Sequence, residues 1–148
     1  MSTIVLSPEY GYTVAVAVAS TVLVSFFGYR VARVRALAKV PLPFMYADAA
    51  EVKEDYQKHI FNCYQRIHQN TLEGFSSYLV TLMFAGLQYP IPSAVLGGIW
   101  ILGRIFYYRG YSTGNPEDRS KGAFGRIGDL GLLGLTGKMA FDLITSGI

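Results

Sequence analysis

Charged and uncharged positions separate along this chain into long blocks. No charged residue stands between Glu9 and Arg30, an interval that matches the roughly 20 residues a helix needs to cross a bilayer's hydrocarbon core. Its Val, Ala, Ser and Gly content would make a mediocre helix in water. In lipid every backbone amide must be paired within the segment, so helix is close to obligatory. Arg30, Arg33, Arg35 and Lys39 follow at once, and Pro41 and Pro43 stop the helix. Residues 40–58 form a polar connection with Asp48, Glu51, Lys53, Glu54, Asp55 and Lys58. A second uncharged interval runs from Gly74 through Gly103, broken at 89–92 by Tyr-Pro-Ile-Pro. It is too long for one straight span, and two prolines beside a tyrosine read as a turn at a membrane interface. After a charged turn at 113–121 (TGNPEDRSK), a last apolar segment holds Asp129, Lys138 and Asp142. The pattern predicts an all-α, integral membrane four-helix bundle. Its single domain spans 1–148, with helices at about 8–38, 58–88, 92–112 and 122–146.

Composition strengthens the membrane reading. Charged residues make up 16% of the chain, where a soluble domain has about 25%; too few charges remain to coat a surface facing only water. The net charge of +3 is too small to argue for nucleic acid, and no basic stretch alternates with aromatics as in a groove binder. Cys63 is the single cysteine, which excludes an intrachain disulfide. The opening MSTIVLSPEYGY lacks a basic n-region, so the first apolar run is expected to be a retained span rather than a cleaved signal.

The basic residues also sort by side. Both long connections are rich in Lys and Arg, while the turn at 89–92 has none. Four spans place those two connections on one face, and the positive-inside rule makes that face cytosolic. In the last segment, Gly122, Gly125, Gly128, Gly131, Gly134 and Gly137 recur at every third position. A collagen reading fails for lack of proline; a closely packed membrane helix accounts for the small residues.

Candidate chemistry begins with FNCYQRIHQNTLE, residues 61–73. Arg66, Asn70 and Glu73 stand at i, i+4 and i+7, one face of a helix. They run directly into the apolar interval, where an ionisable residue is costly and normally faces a protein interior or a wet cavity. Arg104, Tyr107 or Tyr108, and Tyr111 form a similar stripe on the next helix. Guanidinium forks suit carboxylates, a glutamate suits an ammonium, and phenols suit a thiol or carbonyl. A zwitterion with an extra carboxylate fits that set. On spacing alone, a ligand site and a buried ion network that merely specifies packing both stay open. His59 and His68 lack ligand spacing for a metal, no pattern marks Cys63 as an activated nucleophile, and no Walker, Rossmann or nucleophile-elbow motif occurs.

FNCYQRIHQNTLE and GRIFYYRGYSTGNPEDRSKGAFG, residues 103–125, resemble the two signature regions of the membrane-associated proteins in eicosanoid and glutathione metabolism. The likeness is greatest to the type-three microsomal glutathione transferases. It extends to Glu9-Tyr10-Gly11, the basic end of the first helix, Pro43-Phe44-Met45-Tyr46 and the glycines of the last helix. The resemblance implies a homotrimer with glutathione held between subunits near the cytosolic face. The implied activities join glutathione to lipophilic electrophiles such as leukotriene-A-like epoxides and reduce lipid hydroperoxides. By position, Arg66, His68, Asn70 and Glu73 would hold glutathione, with Arg104, Tyr107 and Tyr111 from the next helix and Arg35 from the first. His68 stands where the related leukotriene-C synthases have a glutamine, and Gly74 replaces a tyrosine of those synthases. Arg119, in a turn one residue longer than theirs, takes the place of the thiol-activating arginine. The resemblance also implies the endoplasmic reticulum membrane, with the mitochondrial outer membrane as the alternative. Two non-catalytic readings stand beside it: a scaffold that presents lipids, and an accessory subunit of a larger membrane complex.

Overall fold

The computed structural model describes residues 6–146. The first five residues, part of the retained-span reading, and the last two of LITSGI lie outside the described residues. The elements in chain order are α1 (Tyr10–Ala38), α2 (Ala49–Glu54), α3 (Tyr56–Gln88), α4 (Pro90–Tyr111), a 3₁₀ segment (Pro116–Gly125) and α5 (Arg126–Ser146). No strand occurs among the described residues.

Local chemistry sets the boundaries. Lys39 adopts a left-handed conformation at φ 53° and closes α1 by donating to the Ala36 and Arg35 carbonyls. Asp48 and Glu51 form a reciprocal capping box on α2, which the polar connection had not disclosed. Asp55 accepts from the Gln57 amide and starts α3 at Tyr56, two residues before the expected 58. Pro90 and Pro92 fall within the first turn of α4, where no intrahelical N–H is needed. The tight turn therefore costs the helix nothing, and α4 begins at Pro90 rather than 92. The larger difference is at the last helix, which begins at Arg126 rather than 122. Gly122 and Gly125 belong to the 3₁₀ segment, which lies against α4 so closely that a methyl at Gly103 would overlap the Gly125 Cα. Likewise a methyl at Gly110 would overlap the Asp118 carbonyl.

The four long helices pack as α1 on α3 and α4, α3 on α4 and α5, and α4 on α5. One core knot joins Tyr78 and Leu82 of α3, Trp100 of α4 and Leu132 of α5. There the Tyr78 and Trp100 rings stack at 3.9 Å. A second joins Phe27 of α1, Cys63 and Ile67 of α3, and Tyr111 of α4. The exterior is apolar too: Val14, Val18 and Val22 of α1, and Ile127, Leu130 and Leu133 of α5, are exposed. So long an apolar face suits lipid rather than water. Two helices, α1 and α4, are long and apolar enough to cross a membrane by length and composition.

The glycine repeat divides in two. Successive residues turn by about 100° in a helix, so a three-residue step drifts steadily around the axis. Gly128 and Gly131 meet Trp100 and Leu96 of α4, whereas Gly134 and Gly137 face open space.

Candidate functional site

The polar face of α3 and that of α4 meet through one side chain. Arg66 donates to Glu73 Oε1 at 2.9 Å, Asn70 donates to Glu73 Oε2 at 3.4 Å, and Arg104 donates to Asn70 Oδ1 at 2.9 Å. The i, i+4, i+7 spacing makes the first two bonds local to α3. The third ties α3 to α4, and the Arg104 guanidinium also lies 5.3 Å from the centre of the Trp100 ring and 5.6 Å from that of Tyr107. Each ring offers its electron-rich face to the cation.

Beside this network lies a cleft of about 580 Å³, within the usual range for small-molecule sites. Arg66 and Asn70 supply one wall, Arg104 and Tyr107 a second, and Arg119, Ser120 and Arg126 a third. Gly103, Gly122 and Gly125 form its close-packed floor. That glycine contact carries the 3₁₀ segment across α4 and brings Arg119 to the cleft. Four guanidiniums thus surround one space. Glu73 is the carboxylate hydrogen-bonded within the set, so the cleft is strongly electropositive and suited to an anion.

The remaining candidates sit elsewhere. Tyr111 is 9% exposed and packs edge-to-face behind Tyr107 with ring centres 5.7 Å apart. It supports the cleft's wall without lining it. Tyr108, which spacing left equal to Tyr107, instead stacks on Phe27 of α1 at 5.0 Å. His68 is turned to α1, where a methyl on Gly28 would come within 3.3 Å of its Nε2. Position i+2 from Arg66 cannot share Arg66's face, so within one chain His68 does not join the set. Arg35 likewise lies away from the cleft, donating to the Phe44 carbonyl at 2.7 Å with its guanidinium 4.7 Å from the Phe61 ring centre. Cys63 Sγ is 3.7 Å from His59 Nε2. The same nitrogen is 2.7 Å from the Gly114 carbonyl, and that acceptor claims its proton, leaving no base for the thiol. Among the described residues, no three metal-ligating side chains converge.

Sequence reasoning missed two residues. Arg126 lines the cleft, and only the turn from 3₁₀ to α geometry places it there. Tyr46 donates its hydroxyl to Gln69 Oε1 from a loop held by paired 2.9 Å bonds between Asn62 and the Ala47 backbone. Burial lifts the Tyr46 phenol above its ordinary pKa, against the opposing pull of the Arg66 cation. The uncharged run from Pro41 to Ala47 before Asp48 gave no sign of this.

An uncharacterized protein of Synechocystis sp. is 39% identical over 59 residues, a stretch covering 39% of each chain. The model of the MAPEG family matches residues 13–141, a span that contains both polar helix faces and the 3₁₀ segment. The chain belongs to the MAPEG family.

Proposed function

We propose that this chain is a membrane-bound glutathione transferase with glutathione peroxidase activity, of the type-three microsomal kind. In this reading α1, α3, α4 and α5 all span the endoplasmic reticulum membrane and three copies assemble. The observation that carries the proposal is the cleft where Arg66, Arg104 and Arg119 converge beside the Glu73–Asn70 pair. Glutathione offers two carboxylates, one ammonium and one thiol. The guanidiniums match the carboxylates, Glu73 matches the ammonium, and Tyr107 provides a phenol beside them. Arg35 and His68 would take part only from a neighbouring copy, since their own chain does not bring them to the cleft.

Arg119 is exposed and carries no ion pair among the described residues, so it is free to face a bound thiol. A cation there favours thiolate and lowers a thiol pKa of about 8.5. The thiolate attacks an electrophilic carbon of an epoxide, the carbon–oxygen bond breaks, and water protonates the alkoxide. With a hydroperoxide, the thiolate sulfur takes the outer oxygen and the O–O bond breaks. The alkoxide takes a proton, and a second glutathione converts the sulfenic product to the disulfide with release of water. The acceptor arrives laterally from lipid. Positioning and charge carry the rate.

The test is glutathione-dependent turnover by the detergent-purified protein with a model electrophile and a hydroperoxide. Arg66→Ala should abolish measurable glutathione binding. Arg119→Ala should lower turnover by about 10- to 100-fold, the scale of one lost charge-assisted bond, with binding largely kept. Wild-type turnover from Arg119→Ala would remove that residue's role. No turnover with either substrate would favour the lipid-presenting scaffold or the accessory subunit.

A further inference from the structure

Away from the cleft, α4 turns a second face to α1. Arg104 and Tyr107 line the cleft, whereas Tyr108 stacks on Phe27 at 5.0 Å and meets Phe26 at 5.8 Å. Arg30 follows one helical turn beyond Phe26. Its guanidinium donates to the Tyr64 hydroxyl at 3.2 Å and lies 5.6 Å from that ring's centre. Its buried Nε has no hydrogen-bond partner among the described residues. Arg33 stands on the next turn, with NH1 3.5 Å from the Tyr29 hydroxyl. Neither α1 nor α4 contains an Asp or Glu, and no ion pair among the described residues involves Arg30 or Arg33. Two guanidiniums therefore share one end of α1 with phenols around them and no carboxylate. Cations at the border of an apolar span find a counter-charge; here it comes from outside the chain.

A groove runs down the same face of α1. Tyr12, Ala19, Phe26 and Arg30 stand at i, i+7, i+14 and i+18, which aligns them along the helix. At the end away from Arg30, an apolar cavity of about 550 Å³ is lined by Tyr12, Ala15 and Ala19 of α1 and by Ile91, Ala94 and Val95 of α4. Between the two ends, a methyl on Gly98 of α4 would meet nothing within 4 Å among the described residues. Ala19 stands eleven residues before Arg30. At helical rise that is about 16 Å, close to the roughly 15 Å of hydrocarbon in one leaflet. An acyl chain whose phosphate sits at Arg30 therefore ends in the cavity. We propose that this α1–α4 groove seats an anionic phospholipid, its phosphate on Arg30 and Arg33 and one chain between Ala19 and Ala94. Guanidiniums suit phosphate oxygens, and basic residues at a membrane border attract anionic heads. A choline head would instead bring a further cation to a site with no carboxylate. The lipid is a bound partner and not a reactant. The inference needs α1 and α4 to span the bilayer, and it is independent of the transferase reading.

The test mixes the full-length protein, in a neutral maltoside detergent, with dioleoyl phosphatidylglycerol or dioleoyl phosphatidylcholine. Native mass spectrometry then reads the lipid retained. The native protein should hold phosphatidylglycerol at least about tenfold more tightly than phosphatidylcholine, the scale of one charge-assisted pair. Arg30→Gln should bring that ratio close to one, and Arg30→Lys should keep part of it. Ala19→Trp fills the cavity from an exposed position, so it should weaken both lipids while keeping their ratio. Glycerol 3-phosphate, an anionic phosphate without chains, should not compete. No preference in the native protein overturns the proposal, as does an undiminished preference in Arg30→Gln or unchanged retention in Ala19→Trp. Competition by glycerol 3-phosphate would make this a site for free phosphate and overturn the lipid seat. If neither lipid is retained and Ala19→Trp breaks an oligomer, a second copy of the chain covers the groove, and the proposal falls.

Discussion

Arg104 of α4 donates to Oδ1 of Asn70 on α3 at 2.9 Å, while the Asn70 amide donates to Glu73. One neutral side chain therefore holds a cation on one helix and a carboxylate on the other. An amide can do this because it carries both an acceptor and two donors.

Asn70→Leu keeps the approximate volume and removes both functions. The mostly buried Arg104 guanidinium loses its acceptor, and such an unsatisfied group costs about 1–3 kcal/mol. Thermal unfolding in detergent should shift down. Glutathione affinity should fall by about tenfold, because Arg104 and Glu73 lose their shared orientation. An unchanged unfolding temperature would show that water serves Arg104 as well as Asn70 does.

Close packing of α4 on the 3₁₀ segment gives a prediction with its own control. A methyl at Gly103 would run into the Gly125 Cα, a backbone atom that cannot rotate away. Gly103→Ala should therefore destabilise the chain by about 1–3 kcal/mol, the usual range for overpacking, and displace Arg119 from the cleft. At Gly131 the neighbour is the flexible end of Leu96, 2.6 Å away, so alanine there should cost less. A methyl at Gly134 would meet nothing within 4 Å among the described residues, and Gly134→Ala should be neutral for the isolated subunit. Denaturation series of the three variants should keep that order. Gly131 packs on its own chain's α4, which makes Gly134 and Gly137 the better probes of contact between copies.

What was legible depended on periodicity. Arg66, Asn70 and Glu73 share a face because α-helical spacing requires it, and uninterrupted helix α3 leaves that spacing intact. Arg126 was not legible, because its direction depends on where the 3₁₀ segment ends. That end is set by a contact between Gly103 and Gly125, far apart in the chain. Tyr46 was hidden for a similar reason: its loop takes shape from Asn62 and Arg35, which belong to two different helices. Positional likeness placed His68 in the set, and within its own chain it lies against Gly28 of α1.

Tyr46 should make stability sensitive to alkaline pH. Burial raises its phenol pKa in the folded chain, so between the unfolded value of about 10 and the folded value the native state holds the extra proton. Stability from this source is complete below the unfolded pKa and is lost as pH rises through the folded one. Tyr46→Phe should flatten that alkaline decline. It should also loosen the loop slightly, since the bond to Gln69 is partly exposed. Unfolding temperatures of both proteins from pH 8 to 11 would test this, and parallel declines would sink the assignment to Tyr46.

Arg35 gives a prediction about motion rather than chemistry. Its guanidinium holds the Phe44 carbonyl at 2.7 Å and lies over Phe61, while two residues on, Tyr46 is bonded to Gln69 of α3. The loop that carries Phe44 therefore sits beside the Arg66 face, fixed at one end by Arg35 and at the other by Asn62. Arg35→Ala should release the first end only. Amide hydrogen exchange across residues 44–46 should quicken, while α3 around Asn70 keeps its protection, because its own bonds are untouched. Arg35→Lys retains a cation but loses the planar fork, so it should fall between the two. If Arg35 also reached glutathione bound to a neighbouring copy, Arg35→Ala would weaken glutathione binding beyond what the loop accounts for. Asn62→Ala separates these cases, since it frees the same loop from its other end without removing a charge. Equal losses of affinity in the two variants would assign Arg35 to the loop. A clearly larger loss in Arg35→Ala would place its guanidinium on the ligand.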